Sequence, residues 1–335
     1  MKTLPRLVTS LLIVAASTTC ALAQTPLKIR AGWVAAPNII LPFVFEKKDL
    51  LKHYGRSYTY EAIRFTNANL EVTALSSGDL EIASLGYPAL TPAVMNAKME
   101  DLRVIADGIQ DGVDGHYSTE YMVLKDSPIK TVADLKGKIV SGFNSGSAVD
   151  MPMRAMLRKN KLEENRDYRN INVGFANMQP MLDGKKIDLA STTAPWGLDP
   201  KNREKSRTLF TSLDAVGPTQ LIVLVSREAI IEKNRAAFVD FFEDYLTALR
   251  WFIDPKNKAE AIEIVARFMK QQPEAISYVF SKSDFYRDPN ALPNADMLQR
   301  GIEVQKDLGF VPQTIDIRKY IDDSIVKEAA KRLAK

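Results

Sequence analysis

The feature that most constrains this chain is a series of short strand signals, each followed by a helix signal and a glycine or proline break, occurring in two sets within 335 residues. In the first set, Leu27–Trp33, Tyr58–Phe65, Leu80–Leu85 and Leu102–Ala106 read as strands. Helix patterns lie between them at Ile39–Lys52, at Asn69–Ser77 closed by Gly78, and at Pro88–Asn96. The second set places strands at Glu120–Lys125, Lys138–Phe143, Asn170–Phe175, Ile187–Thr192 and Gln220–Ser226. Its helices are expected at Thr131–Leu135, from Ser147 to Lys159, and at Asn177–Asp183 before Gly184. Beyond Ser226 the pattern turns helical, at Ala236–Phe252, Ala259–Lys270, Pro273–Phe280, Ala295–Leu308 and Ile321–Leu333. Such alternation predicts an α/β fold of mostly parallel sheets covered on both faces. Two such units with a helical tail predict a bilobal molecule.

In open α/β sheets a ligand binds outside the C-terminal ends of the strands. The loops with that placement are 33–38, 86–88, 114–119, 144–147 and 193–197, and facing lobes would bring them to one cleft. Trp33, Tyr87, Tyr117 and Trp196 fall on these loops, where an aromatic ring packs against the apolar body of a ligand or, equally, against a neighbouring lobe. Gly86 and Pro195 belong to the same turns, and Asn38 offers donors and an acceptor in the first loop. Ser145-Gly146-Ser147 precedes a helix, whose free N–H groups and partial positive charge suit an anion. On the residues alone, plain N-capping by Ser147 is the stronger reading, since serine is a preferred cap anywhere.

The N-terminus reads as an address. Lys2 and Arg6 start it, Leu7–Ala16 is mostly apolar, and Ala21-Leu22-Ala23 supplies small residues for cleavage. Residues 1–23 are therefore expected to be a secretory signal peptide. Its removal takes the single Cys, Cys20, and two of the 45 basic residues, against 41 acidic ones. A cysteine-free, nearly neutral chain suits the periplasm. The later sequence has no apolar run long enough to span a bilayer, so a soluble mature protein is expected. The thin charge surplus lacks the basic clusters of a nucleic-acid binder. With only His53 and His116, and no mature Cys, the sequence offers no catalytic constellation, no metal site and no cofactor motif.

Ser127–Lys138 (SPIKTVADLKGK) resembles a segment of periplasmic solute-binding proteins of ABC importers, in the nitrate/sulfonate/taurine group. Leu75–Ala83, Gly86–Leu90, and Gly184–Ala190 running into Ala194-Pro195-Trp196 agree with that group in order and spacing. The resemblance implies a type II periplasmic-binding-protein fold, two α/β lobes joined by two crossover strands. Lobe one would hold 26–115 and 226–335, and lobe two 120–218, with hinge strands near 117–122 and 220–225. It also implies that an anionic group binds at Gly146 and Ser147. Tyr117 and Ser118 would then lie at the hinge, with Glu120 as a salt-bridge partner there, and Asp214 would add a polar contact before the return crossing. The implied function is capture of a small organic anion, a sulfonate first, by a monomer that delivers it to an inner-membrane permease with its ATPase subunit. Aromatic carboxylates, sulfate esters, pyrimidines, or presentation of the ligand to a sensor are the alternatives. Few Arg or Lys residues fall on the cleft loops, so neutral donors and a helix dipole would have to hold the anion. The pyrimidine-synthesis proteins of thiamine metabolism share the fold, but their Cys-rich segment has no counterpart in the mature chain.

Overall fold

The computed structural model describes residues 25–34 and 38–334. The expected signal peptide, 1–23, lies outside the described residues. The elements run β1 (Leu27–Trp33), β2 (Tyr58–Arg64), α1 (Ala68–Ser77), β3 (Ile82–Gly86), α2 (Leu90–Met95), β4 (Leu102–Asp111), β5 (Glu120–Leu124), β6 (Lys138–Ser141) and α3 (Asp150–Lys159). They continue through β7 (Tyr168–Asn170), α4 (Phe175–Asp183), β8 (Leu189–Thr192), α5 (Pro200–Lys205), β9 (Ser206–Thr211), α6 (Ser212–Val216) and β10 (Thr219–Arg227). The helical tail is α7 (Glu228–Lys233), α8 (Arg235–Ile253), α9 (Lys258–Met269), α10 (Ala295–Asp307) and α11 (Ser324–Leu333).

Two five-stranded sheets form, with orders β2-β1-β3-β10-β4 and β7-β6-β8-β5-β9. In each, three strands run parallel and the fourth is antiparallel to both its neighbours. That antiparallel strand is in each case the first one made after the chain arrives from the other lobe: β5 after β4, and β10 after α6. The crossings are the residues between these elements, 112–119 and 217–218, while Gln220–Val225 belongs to a sheet.

Both faces of the first sheet are covered. Ile29 and Ala31 pack with Phe238, Phe241 and Phe242 of α8 on one side. Leu75 of α1, Leu90 of α2 and Leu298 of α10 close the other. In the second sheet, Met153 and Leu157 of α3 cover one face and Met178 and Leu182 of α4 the other. Strands buried on both faces carry continuous apolar runs, which is why they were legible.

Several expectations are corrected. Ile39–Lys52 is not an α-helix: it holds two single 3-10 turns, Val44–Glu46 and Lys48–Leu50, because Pro42 cannot donate within a helix. Pro273–Phe280 likewise yields one turn, Pro273–Ile276, and Thr131–Leu135 one capped turn at Val132–Leu135. The strand expected at Asn170–Phe175 ends at Asn170, and Phe175 opens α4. Strand β9 had not been expected. No described helix is long and apolar enough to cross a membrane.

Candidate ligand-binding site

A cavity of about 380 Å³ lies between the two sheets. Lobe one contributes Ser84 and Gly86 from β3, Asn67–Asn69 at the start of α1, and Ile222 from β10. Lobe two contributes Phe143–Val149 ahead of α3, Phe175 at the start of α4, and Thr193 after β8. Phe285, Gln305 and Phe310 of the helical tail complete the wall. The placement follows from topology, since parallel strands deliver their C-terminal ends, and the helix starts that follow, to one side.

The local sequence explains each wall. Asn67 caps α1, its side chain accepting from the Leu70 N–H at 3.1 Å, and Gly78 ends the helix at φ +81°. Phe143 stacks on Phe175 with ring centroids 4.2 Å apart, and Phe175 stacks on Trp196 at 5.4 Å. Phe310 covers Gly146, where a Cβ would sit 3.4 Å from its ring. The Arg154 guanidinium lies 5.0 Å from the Phe310 ring, joining the lobes at the rim.

Electrostatics at the start of α3 are settled by the protein's own groups. Gly146 N–H donates to the Asp150 carboxylate at 2.8 Å, Ser145 N–H to Asn172 at 2.9 Å, and Ser147 N–H to the Asn144 carbonyl at 3.0 Å. The Ser147 hydroxyl donates to the Gly142 carbonyl and accepts from Asp150 N–H. Burial pushes the Asp150 carboxyl up, opposed by Arg154, whose Nε donates to it at 2.5 Å. Arg154 also pairs with Glu164. Behind Ser84, burial raises the Glu71 carboxyl to about 8, opposed by the N–H and hydroxyl of Ser84.

Of the residues singled out from sequence, Asn38, Gly86, Gly146 and Ser147 lie on the cavity wall. The others are placed elsewhere. Trp33 is core, packed against Phe268 of α9 and beneath Arg64. Tyr87 is buried under α10, so close to Gly301 that a Cβ there would meet the ring at 2.8 Å. Tyr117 donates its hydroxyl to the Thr192 carbonyl at 3.0 Å and packs edge-on against Phe285. Ser118 donates to Asp111 at 2.5 Å and accepts from Leu213 N–H at 2.9 Å, tying the first crossing to both lobes. Pro195 follows a cis bond, and Trp196 stands behind Phe175 instead of on the wall. Asp214 caps α6 by accepting from Thr211. Glu120 pairs with Arg203 and accepts from Thr208 at 2.6 Å. The aromatic walls Phe143, Phe175, Phe285 and Phe310 were missed. Phe175 opens a helix after a strand and could have been found by the same rule as Ser147, whereas Phe285 and Phe310 come from the tail and carried no such signal.

The NMT1-like family model matches residues 23–266. The chain belongs to the NMT1-like family. Among curated relatives of this NMT1-like protein, a putative thiamine biosynthesis protein of Haemophilus influenzae is 22% identical over 278 residues, 76% of this chain and 83% of the relative. A putative binding protein of Brucella abortus is 25% identical over 252 residues, 72% of each. The periplasmic aliphatic sulphonate binding protein SsuA of Escherichia coli superposes with a TM-score of 0.66 at 19% identity, covering 89% of this chain and 92% of SsuA. The periplasmic nitrate-binding protein NrtA of Synechocystis gives 0.70 at 17%, covering 92% and 89%. An enzyme, the desulfurization enzyme DSZB, gives 0.67 at 14%, covering 92% and 99%. The two mixed sheets of the NMT1-like chain are thus the periplasmic-binding-protein fold of SsuA and NrtA, and that fold also carries catalysis.

Proposed function

We propose that this protein is the periplasmic substrate-binding component of an ABC importer, which captures a small organic solute between its lobes and delivers it to an inner-membrane permease with its ATPase subunit. The observation that carries the reading is the cavity itself, whose walls come from strand ends and helix starts of both sheets. A ligand touching both lobes favours the closed arrangement by its differential affinity. The lobes are 26–115 with 226–335, and 120–218, turning about the two crossings. The names of the relatives and neighbours support a binding role, and export through residues 1–23 fits it. The sulphonate- and nitrate-binding proteins among its structural neighbours favour binding over catalysis. The protein acts as a monomer.

The likeness to SsuA puts sulfonates first among the anions to test, before aromatic carboxylates, sulfate esters and pyrimidines. The test is a thermal-shift panel of these compounds on the ligand-stripped mature protein, residues 24–335. A ligand at a hundredfold its Kd adds about 2.7 kcal/mol, a midpoint rise of a few degrees. A panel of anions and neutral solutes that moves nothing would count against the reading.

A further inference from the structure

The cavity has a property that the likeness to anion-binding proteins does not lead one to expect. Among the described residues, none of those on its wall is charged: the polar groups are Asn, Gln, Ser and Thr, and the remainder is aliphatic, Gly, Pro or Phe. We infer that its ligand is uncharged, a ring-containing solute captured against the aromatic wall of Phe143 and Phe175. This rests on the binding-protein reading above and specifies its ligand.

Three observations carry it. First, a monovalent anion leaving water with no opposite charge beside it loses several kcal/mol of hydration. A helix start returns only about 0.3–1 kcal/mol, up to 2 kcal/mol in buried geometry. Second, the loop before α3 has already committed the N–H groups of Ser145, Gly146 and Ser147 to Asn172, Asp150 and Asn144. The Asp150 carboxylate thus occupies the Gly146 N–H that an anion at this loop would use, and its partner Arg154 is shared with Glu164. Third, two buried amides on the wall have their nitrogens committed to backbone carbonyls. Asn38 Nδ2 donates to Ala194 at 3.1 Å, and Gln305 Nε2 to Pro88 at 2.8 Å. Those acceptors fix each amide's orientation, because a reversed amide would set oxygen against oxygen. Asn38 Oδ1 and Gln305 Oε1 are left without a protein partner, with residue exposures of 8% and 3%. With their nitrogens committed, these two amides offer an anion no donor, and their oxygens set partial negative charge close to the cavity. Phe143 and Phe175, stacked on each other nearly parallel at 2°, make this part of the wall aromatic and apolar.

The test compares matched pairs of equal shape and different charge by titration calorimetry on the mature protein: benzenesulfonamide against benzenesulfonate, and benzamide against benzoate. The expected result is at least tenfold tighter binding of the uncharged member of each pair, with little dependence on salt between 20 and 500 mM. The exposed Asn144 on the wall, replaced as Asn144→Lys, should narrow or reverse that preference. Equal or tighter binding of the anions overturns the ligand class while leaving the binding-protein reading intact. Binding of neither member of either pair also overturns it, and the thermal-shift panel then decides the wider reading separately.

Discussion

The side-chain nitrogen of Asn38 donates to the carbonyl of Ala194 at 3.1 Å, joining the loop after β1 of one sheet to the loop after β8 of the other. Asn38 is itself held from behind, since the Arg287 guanidinium donates to its carbonyl at 2.6 Å. The bond exists only while the lobes are together, so it biases the open–closed equilibrium. A net hydrogen bond contributes about 1 kcal/mol. Asn38→Ala should therefore weaken ligand affinity by roughly fivefold, measured by calorimetry, with little change in the urea midpoint of the ligand-free protein. Unchanged affinity would show that the bond does not count in closure.

Arg287 and Asp284 form an ion pair at 2.8 Å with side chains 3% and 1% exposed. Removing one member of a buried pair leaves the other charge uncompensated, at a cost of about 3–5 kcal/mol. Arg287→Met should lower the urea unfolding free energy by that order. A loss below 1 kcal/mol would contradict the assignment.

Glu71 gives a pH dependence of definite sign. Burial raises its carboxyl to about 8 in the folded chain, from an ordinary value near 4.5. The folded state therefore holds a proton that the unfolded chain releases between these values, and stability falls as pH rises from about 4.5 to 8. At one pKa unit per 1.36 kcal/mol, the contribution is a few kcal/mol. Glu71→Gln keeps the hydrogen bonds to Ser84 in reach and removes the titration. The variant should gain stability over the wild type at pH 8.5 and not at pH 4.5, in paired urea titrations. An identical pH profile in both proteins would refute the claim.

Trp196 stacks on Phe175, and Phe175 lines the cavity, so a ligand packed on that wall alters the environment of the indole. Binding should change tryptophan emission, and Trp196→Phe should abolish most of the change while Trp33 and Trp251 remain. A signal that survives in Trp196→Phe would place the ligand elsewhere.

The strand–helix order of both lobes was legible because doubly covered strands carry near-continuous apolar runs, as Leu221–Val225 does and as Ile82–Leu85 does but for Ser84. Ile39–Lys52 misled because its apolar residues suggest a helix, whereas residues 39–45 are buried without a break and Pro42 interrupts any helix begun at Ile39. The cavity wall was legible only in part. Strand-end position found Asn38, Gly86, Gly146 and Ser147, but position does not say which way a side chain turns. Trp33 ends β1 on the side of α9, and Tyr87 turns under α10, because large aromatic rings gain more from full burial than from a wet cleft. Phe310 covers Gly146, a residue from the other half of the chain, a relation that local pattern does not contain.

The account stands on a ligand held by both lobes at once. Its most direct test is titration of the tightest compound from the panel against two single variants, Phe310→Ala in lobe one and Phe175→Ala in lobe two. Both rings line the cavity from opposite sides, and the loss of an aromatic contact of about 0.5–1.5 kcal/mol should weaken binding roughly two- to tenfold in each. Weakening in both variants is the predicted result. Full affinity in either one would contradict capture between the lobes.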